Sequence, residues 1–367
     1  MSYNIKPLII GDLEIKIPII QGGMGVKVST ASLASAVANC GGAGTIASVG
    51  LGQGTEDNES DYIDVSKEGL SNEIREAKRL TKGVIGVNIL VALSNYEDLV
   101  RTSMEEKADF IIAGAGLPLS LPGLTKGSKI KLIPIVSSAR TAELIIKSWK
   151  RRYDRFPDAI VVEGPLAGGH LGFGLKDLTP PKENMLEEIV VDVLKIANKY
   201  KRESSVNIPV IAAGGIYDGK DIVKFFKLGI QGVQIATRFV TTYECSVADE
   251  FKQLYISAKK DDIIIIDSPV GMPGKVIRTK FVDRINNGEK IPFSCNYQCL
   301  KTCNPSSAPY CIAKALLNAY KGDVDNAVVF AGSNVYKVDK IVHAKELIDS
   351  LISEIKEEMH ENAMTVK

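Results

Sequence analysis

The chain has 367 residues, with 45 Lys and Arg against 44 Asp and Glu, so its net charge is close to zero and no basic block suits a polyanion. Nucleic acid is therefore not an expected partner, and the want of a leader-like start or of an apolar run of spanning length points to a soluble, cytoplasmic protein with no membrane partner. Six cysteines in so long a chain do not make a disulfide scaffold and read as reduced thiols or ligands in a reducing compartment.

Apolar runs recur along the first two thirds with helical stretches between them. The first, Ile17 to Ile20, stops at Gln21-Gly22-Gly23-Met24-Gly25, after which Ser29 or Thr30 is placed to cap a helix from Ala31 to Asn39. The second, Ala43 to Ala47, follows the helix stop Gly41-Gly42. Residues 52–66 are polar and acidic, and are expected to form a mobile loop at the mouth of the structure before a helix from Lys67 to Leu80. The third run, Val84 to Val87, ends in Asn88, and a helix from Tyr96 to Lys107 leads to the fourth, Phe110 to Ala113. The fifth, Lys131 to Val136, precedes a helix from Ala139 to Lys150, and the sixth, Ala159 to Val162, ends in Glu163. A proline-marked polar loop over 174–183 leads to a helix from Met185 to Tyr200. The seventh run, Ile208 to Ala213, ends in Gly214-Gly215, and Asp218 starts a helix through Leu228. The eighth, Gly232 to Ala236, ends in Thr237.

Strands alternating with helices imply parallel pairing and right-handed crossovers, and eight such units define an α/β fold of the (β/α)8 TIM-barrel kind. A doubly wound sheet is the alternative, but the glycines after the first run lack the dinucleotide spacing. In a barrel the strand ends converge on one face, which gathers Gln21 to Met24, Asn88, Glu163, Gly168 to His170, Gly214-Gly215 and Thr237. The stretch 159–174, AIVVEGPLAGGHLGFG, sets His170 just past a strand end among small residues that leave room for a ligand. The other two histidines, His343 and His360, sit in charged, helix-like surroundings and read as surface positions. Glycines, a hydroxyl and helix-starting amides at ends seven and eight suit a phosphorylated cofactor.

These motifs, IPIIQGGMG, GVNI, EGPLAGGHLGF, IPVIAAGGI and VQIATRFV, run in order from Ile9 to Ala248 and resemble those of the nitronate monooxygenase family and its sister group, the FMN-dependent enoyl-acyl-carrier-protein reductases. The resemblance implies a barrel with a small, mostly helical extra lobe and non-covalently bound FMN. It implies that Gly22, Gly23 and Met24 line the flavin ring with Asn88, Glu163 and Gly169 nearby. It also implies that Gly214, Gly215, Ala236 and Thr237 hold the phosphate and that His170 is the catalytic residue. Ala236 departs from the family's usual glycine before the threonine. The activity implied is oxidation of alkyl nitronates with oxygen to a carbonyl compound and nitrite, with His170 as base or anion-binding group. NAD(P)H-dependent reduction of an enoyl thioester is the alternative, and a non-catalytic flavin sensor a third.

The expected organisation is a barrel over 1–260, a small lobe over 261–335 and a C-terminal amphipathic helix over 336–367. In the lobe, Ser268 to Gly274 is a turn-rich linker, and Lys275 to Asn287 and Cys311 to Tyr320 have helical spacing. The last helix, Asp339 to Glu358, carries Ile341, Leu347, Leu351 and Ile355 on one face, which suits packing on the barrel or, otherwise, a homodimer contact. Cys295, Cys299, Cys303 and Cys311 form C-x3-C-x3-C-x7-C, which fits neither the usual zinc nor the ferredoxin spacings, so free thiols and no metal are expected, with a metal or iron–sulfur site as the alternative.

Overall fold

In the computed structural model, residues 5–52, 62–180, 185–295 and 298–365 are described. Eight parallel strands close into a barrel. In chain order they are Ile19–Gln21 (β1), Ala43–Ala47 (β2), Val84–Leu90 (β3), Phe110–Gly114 (β4), Lys131–Val136 (β5), Ile160–Glu163 (β6), Val210–Ala213 (β7) and Gly232–Ile235 (β8). Each pairs with its sequence neighbour, and β8 closes on β1 with Val233 opposite Ile19. The pairing follows from the sequence: each run is short, apolar on both faces and flanked by residues that stop a strand. Ile20, Ala43, Phe110, Ile112, Ile133, Val161 and Ile211 fill the interior. A Cβ at Gly86 would stand 2.1 Å from the Phe110 ring, so that glycine makes the room for Phe110.

An antiparallel hairpin, Leu8–Ile10 with Leu13–Ile15, precedes the barrel. Its buried Leu8, Ile10 and Ile15 join the interior cluster, so the hairpin plugs the barrel at the end away from the cleft. Outside the strands, the helices bury one face each against the sheet. Helix Ala31–Asn39 lies so close to β2 that a Cβ on Gly44 would come within 1.9 Å of the Ala34 carbonyl oxygen. Gly44→Ala must push two packed backbones apart and is expected to destabilise the protein by about 2–3 kcal/mol. A urea unfolding curve reads this, and a loss below about 1 kcal/mol would contradict the packing.

Several local expectations need correction. Neither Ser29 nor Thr30 caps helix Ala31–Asn39; the free Ala31 N–H donates to Glu73 Oε2 at 2.6 Å, a carboxylate brought from the next helix. Of the acidic stretch 52–66, residues 53–61 lie outside the described residues, and Tyr62–Leu80 is already helix. In the stretch 174–183, Leu175–Leu178 is a short helix, and 181–183 lie outside the described residues. Lys275 to Asn287 is not one helix. Pro273–Ile277 is a strand that pairs antiparallel with Ile263–Asp267, and the helix begins only at Lys280, where Thr279 Oγ1 accepts from the Val282 N–H at 3.2 Å. β-Branched Val276 and Ile277 favour the pleated partner over a helical turn.

The segment after the barrel thus joins helices to a small antiparallel sheet. Val329–Phe330 pairs with one edge of the strand at 273–277. The C-terminal helix Ala344–Thr365 buries Leu347, Ile348, Leu351 and Ile355 and lies on helix Gly219–Leu228, where the Gly219 N–H donates to Glu354 Oε2 at 2.8 Å. Among the described residues no helix is long and apolar enough to cross a membrane.

Candidate active site

A cleft holding about 1560 Å³ of empty space, its open mouth included, lies at the C-terminal ends of the strands. Its wall brings together Gly22, Gly23, Met24, Asn88, Glu163, Gly169, His170, Ala236 and Thr237, residues drawn from four strand ends. Gly214 and Gly215 are not part of that wall. Both have left-handed backbones (φ 91° and 85°), and a Cβ at either would stand 2.9 Å from Ala167 or Leu166, so they are needed where the loop after β6 rests on them.

The loop after β1 is pinned by a side chain that never reaches the cleft. Gln21 is fully buried; its Nε2 donates to Gly22 O and to Ser29 Oγ at 2.8 Å, while its Oε1 accepts from the Thr45 N–H at 3.0 Å. Ser29 Oγ in turn accepts from the Met24 N–H at 2.9 Å. Gly23 is thereby pressed against Asn88: a Cβ there would come within 2.3 Å of Asn88 Cβ. The glycine run is therefore a consequence of close packing at the floor of the cleft.

His170 is held by residues from far along the chain. Gly169 and His170 form a two-residue strand that pairs antiparallel with Gly274 and Lys275. The imidazole packs edge-on against Phe330, with ring centroids 4.7 Å apart, and its Nε2 lies 2.7 Å from Ser268 Oγ. Nε2–H donating to Ser268 leaves Nδ1 as the acceptor; the other tautomer places the proton on Nδ1 and the serine hydroxyl as donor. Burial disfavours the charged ring and lowers its pKa to about 4, so the imidazole is neutral near pH 7 and suits a proton acceptor.

A partly buried acid, Glu163, shares the cleft wall with His170, and a buried amine, Lys275, stands opposite Gly169. Burial pushes the Glu163 carboxyl up to about 7, with the Lys275 ammonium opposing that shift. Burial also lowers Lys275 to about 8, again opposed by its partner. Lys275 Nζ donates to Pro165 O and, at 2.7 Å, to Ser333 Oγ, which ties the loop before His170 to the segment after the barrel. Thr237 Oγ1 accepts from the Gly332 N–H at 3.1 Å, and Asn334 Nδ2 donates to Gly215 O at 2.7 Å, so the same segment also closes over strand ends seven and eight.

Ser268, Lys275 and Phe330 were not apparent in the sequence, because the linker around Ser268 looks like an ordinary turn and nothing local ties it to His170. Gln234 was also missed. It lines the cleft from β8, and its buried Oε1 has no hydrogen-bond partner. His343 is exposed and pairs with Glu244 at 3.0 Å, and His360 is exposed, as expected of surface positions.

A closed parallel barrel with a deep cleft at its strand ends and a neutral imidazole on the cleft wall is the arrangement of a barrel enzyme. The chain belongs to the nitronate monooxygenase family, whose model matches residues 6–101 and 93–354, and it is an oxidoreductase. A probable nitronate monooxygenase of Staphylococcus aureus (strain Newman) is 29% identical over 320 residues, covering 76% of this chain and 79% of that protein. A (3aS,4S,5R,7aS)-5-hydroxy-7a-methyl-1-oxo-octahydro-1H-indene-4-carboxyl-CoA dehydrogenase of Mycobacterium tuberculosis is also 29% identical, over 278 residues, covering 76% of this chain and 68% of that one. Among solved structures, FabK from Thermotoga maritima superposes with a TM-score of 0.75 at 29% identity over 96% of both chains. A nitroalkane oxidase from Streptomyces ansochromogenes shares the fold, with a TM-score of 0.72 at 18% identity over 95% of this chain and 98% of that one.

Proposed function

We propose that the protein is an FMN-dependent nitronate monooxygenase that converts alkyl nitronates and oxygen to a carbonyl compound and nitrite. The observation that carries this reading is His170, fixed by Ser268 and Phe330 on the wall of a cleft floored by glycines. Bound FMN supplies the electron-transfer chemistry. The cleft fits such a group: Gln234 Oε1 is an unpaired buried acceptor facing it, suited to a ring N–H. At Gly169 (φ 85°) a Cβ would meet nothing within 4 Å, so open space lies before that backbone. Gly22, Gly23 and Met24 would lie along the ring with Asn88, Glu163 and Gly169 at its edges. Ala236 and Thr237, with Gly214 and Gly215 behind them, would carry the phosphate.

His170 takes the α-proton of a neutral nitroalkane, or stands beside the oxygens of a preformed nitronate. Its neutrality favours the first role over anion binding. Ser268 and Phe330 fix the ring, and the apolar remainder of the wall excludes water. A second reading is an NAD(P)H-dependent enoyl-thioester reductase in which His170 protonates or steadies the enolate. The likeness of QGGM to that sister group and the 29% identity to a carboxyl-CoA dehydrogenase favour it.

Both readings require FMN. Denaturing the purified protein is expected to release FMN at about one per chain, identified by chromatography. Protein that is colourless and does not take up added FMN, or that releases FAD, would overturn both.

A further inference from the structure

Cys295, Cys299, Cys303 and Cys311 take no part in the chemistry above. Their spacing alone matches no usual metal motif, but folding brings them together: all four line one pocket beside the loop after β3. None is fully exposed, and all are unpaired with one another.

The backbone around them is built for sulfur. Gln298 adopts a left-handed conformation (φ 43°), and its N–H donates to Cys295 Sγ at 3.4 Å, a bond of the sort that stabilises a ligating thiolate. Cys311 sits at the N-terminus of the nine-residue helix Ile312–Tyr320, whose first amides favour anionic sulfur. The thiol-bearing turn is fastened to the barrel. The Ser94 N–H donates to Cys299 O at 3.1 Å, the Lys301 N–H to Ala92 O at 3.0 Å, and Lys301 Nζ to Val91 O at 3.0 Å.

A single zinc ion draws its sulfurs to about 2.3 Å from one point, and among the described residues no group of three or more His, Cys, Asp or Glu stands ready to hold a metal ion. In a cubane each thiolate binds a different iron, so the ligands stand around a volume instead. Here they line about 910 Å³ of empty space, its open side included.

We propose that Cys295, Cys299, Cys303 and Cys311 ligate a [4Fe–4S] cluster. Cys299 lines both this pocket and the main cleft, so the cluster shares a wall with the reaction chamber. The assignment rests on the cysteines and not on the flavin, and flavin content is measured separately, so either can fail alone.

The test is analysis of the full chain, purified without oxygen and incubated with ferrous iron, sulfide and thiol before desalting. The result expected is about four iron and four sulfide per chain, with an electron paramagnetic resonance signal on dithionite reduction. Cys303→Ser should lose most of the iron, whereas Cys40→Ser, whose thiol lies at the end of helix Ala31–Asn39, should keep it. Circular dichroism of both variants separates loss of the ligand from loss of the fold. Stoichiometric zinc, two irons, or an iron-free wild-type protein with four thiols open to alkylation would each overturn the proposal, as would equal iron in wild type and a folded Cys303→Ser.

Discussion

His170→Asn is expected to lower turnover of a neutral nitroalkane by about a hundredfold or more, because asparagine keeps the size and the hydrogen bond to Ser268 but cannot accept the proton. Preformed nitronate should suffer much less. The pH dependence follows from the same burial. Wild-type kcat/KM for the neutral substrate should hold as pH is lowered and fall only as the imidazole takes its proton, near pH 4. Stability carries a matching signature. The unfolded imidazole binds a proton near pH 6.5 and the folded one only near 4, so between those values the unfolded chain holds more protons. Stability from this group is therefore complete above that window and falls as pH drops through it, by on the order of 3 kcal/mol, a slope that His170→Asn should remove. A variant that keeps a tenth or more of wild-type turnover on the neutral substrate would contradict the base role.

Lys275→Met is expected to destabilise the protein by about 2–3 kcal/mol, because it leaves two acceptors, Pro165 O and Ser333 Oγ, without their donor. Lys275 is only 3% exposed, and its ammonium holds Pro165 O and Ser333 Oγ. Without it the Glu163 carboxyl, already raised to about 7, should rise further and stay protonated into alkaline solution. Urea unfolding reads the first effect, and the pH dependence of flavin absorbance the second. A stability change below about 1 kcal/mol would show that Lys275 does not bind the two segments together.

What could be read from the sequence is what local pattern encodes. The eight barrel strands fall on the eight apolar runs, within two residues at most starts, because a fully buried parallel strand is a short apolar run whose ends are marked by Gly, Asn or Ser. Nine of the eleven candidate site residues share one wall because in a barrel a strand end is also a place in space. Gly11-Asp12 between Leu8-Ile9-Ile10 and the alternating Leu13-Glu14-Ile15 is a local hairpin signal, and the hairpin it builds is the barrel's plug. The environment of His170 could not be read at all. It depends on Gly274 and Lys275 returning to pair with Gly169 and His170, a register more than a hundred residues apart that no spacing reveals. Gln21 shows the opposite error: a polar residue at a strand end that looks like part of the site proves to be a fully buried brace. Gly214 and Gly215 are likewise explained first by the loop packed on them.

The central claim is that the cleft takes electrons from a nitronate without a pyridine nucleotide, and mixing the protein with an alkyl nitronate in the absence of oxygen tests it most directly. The flavin absorbance is expected to bleach, and admitting air to the same mixture should release nitrite with no NAD(P)H present. If the nitronate leaves the spectrum unchanged while NADH or NADPH bleaches it and an enoyl thioester restores the colour, the monooxygenase reading is wrong and the reductase takes its place.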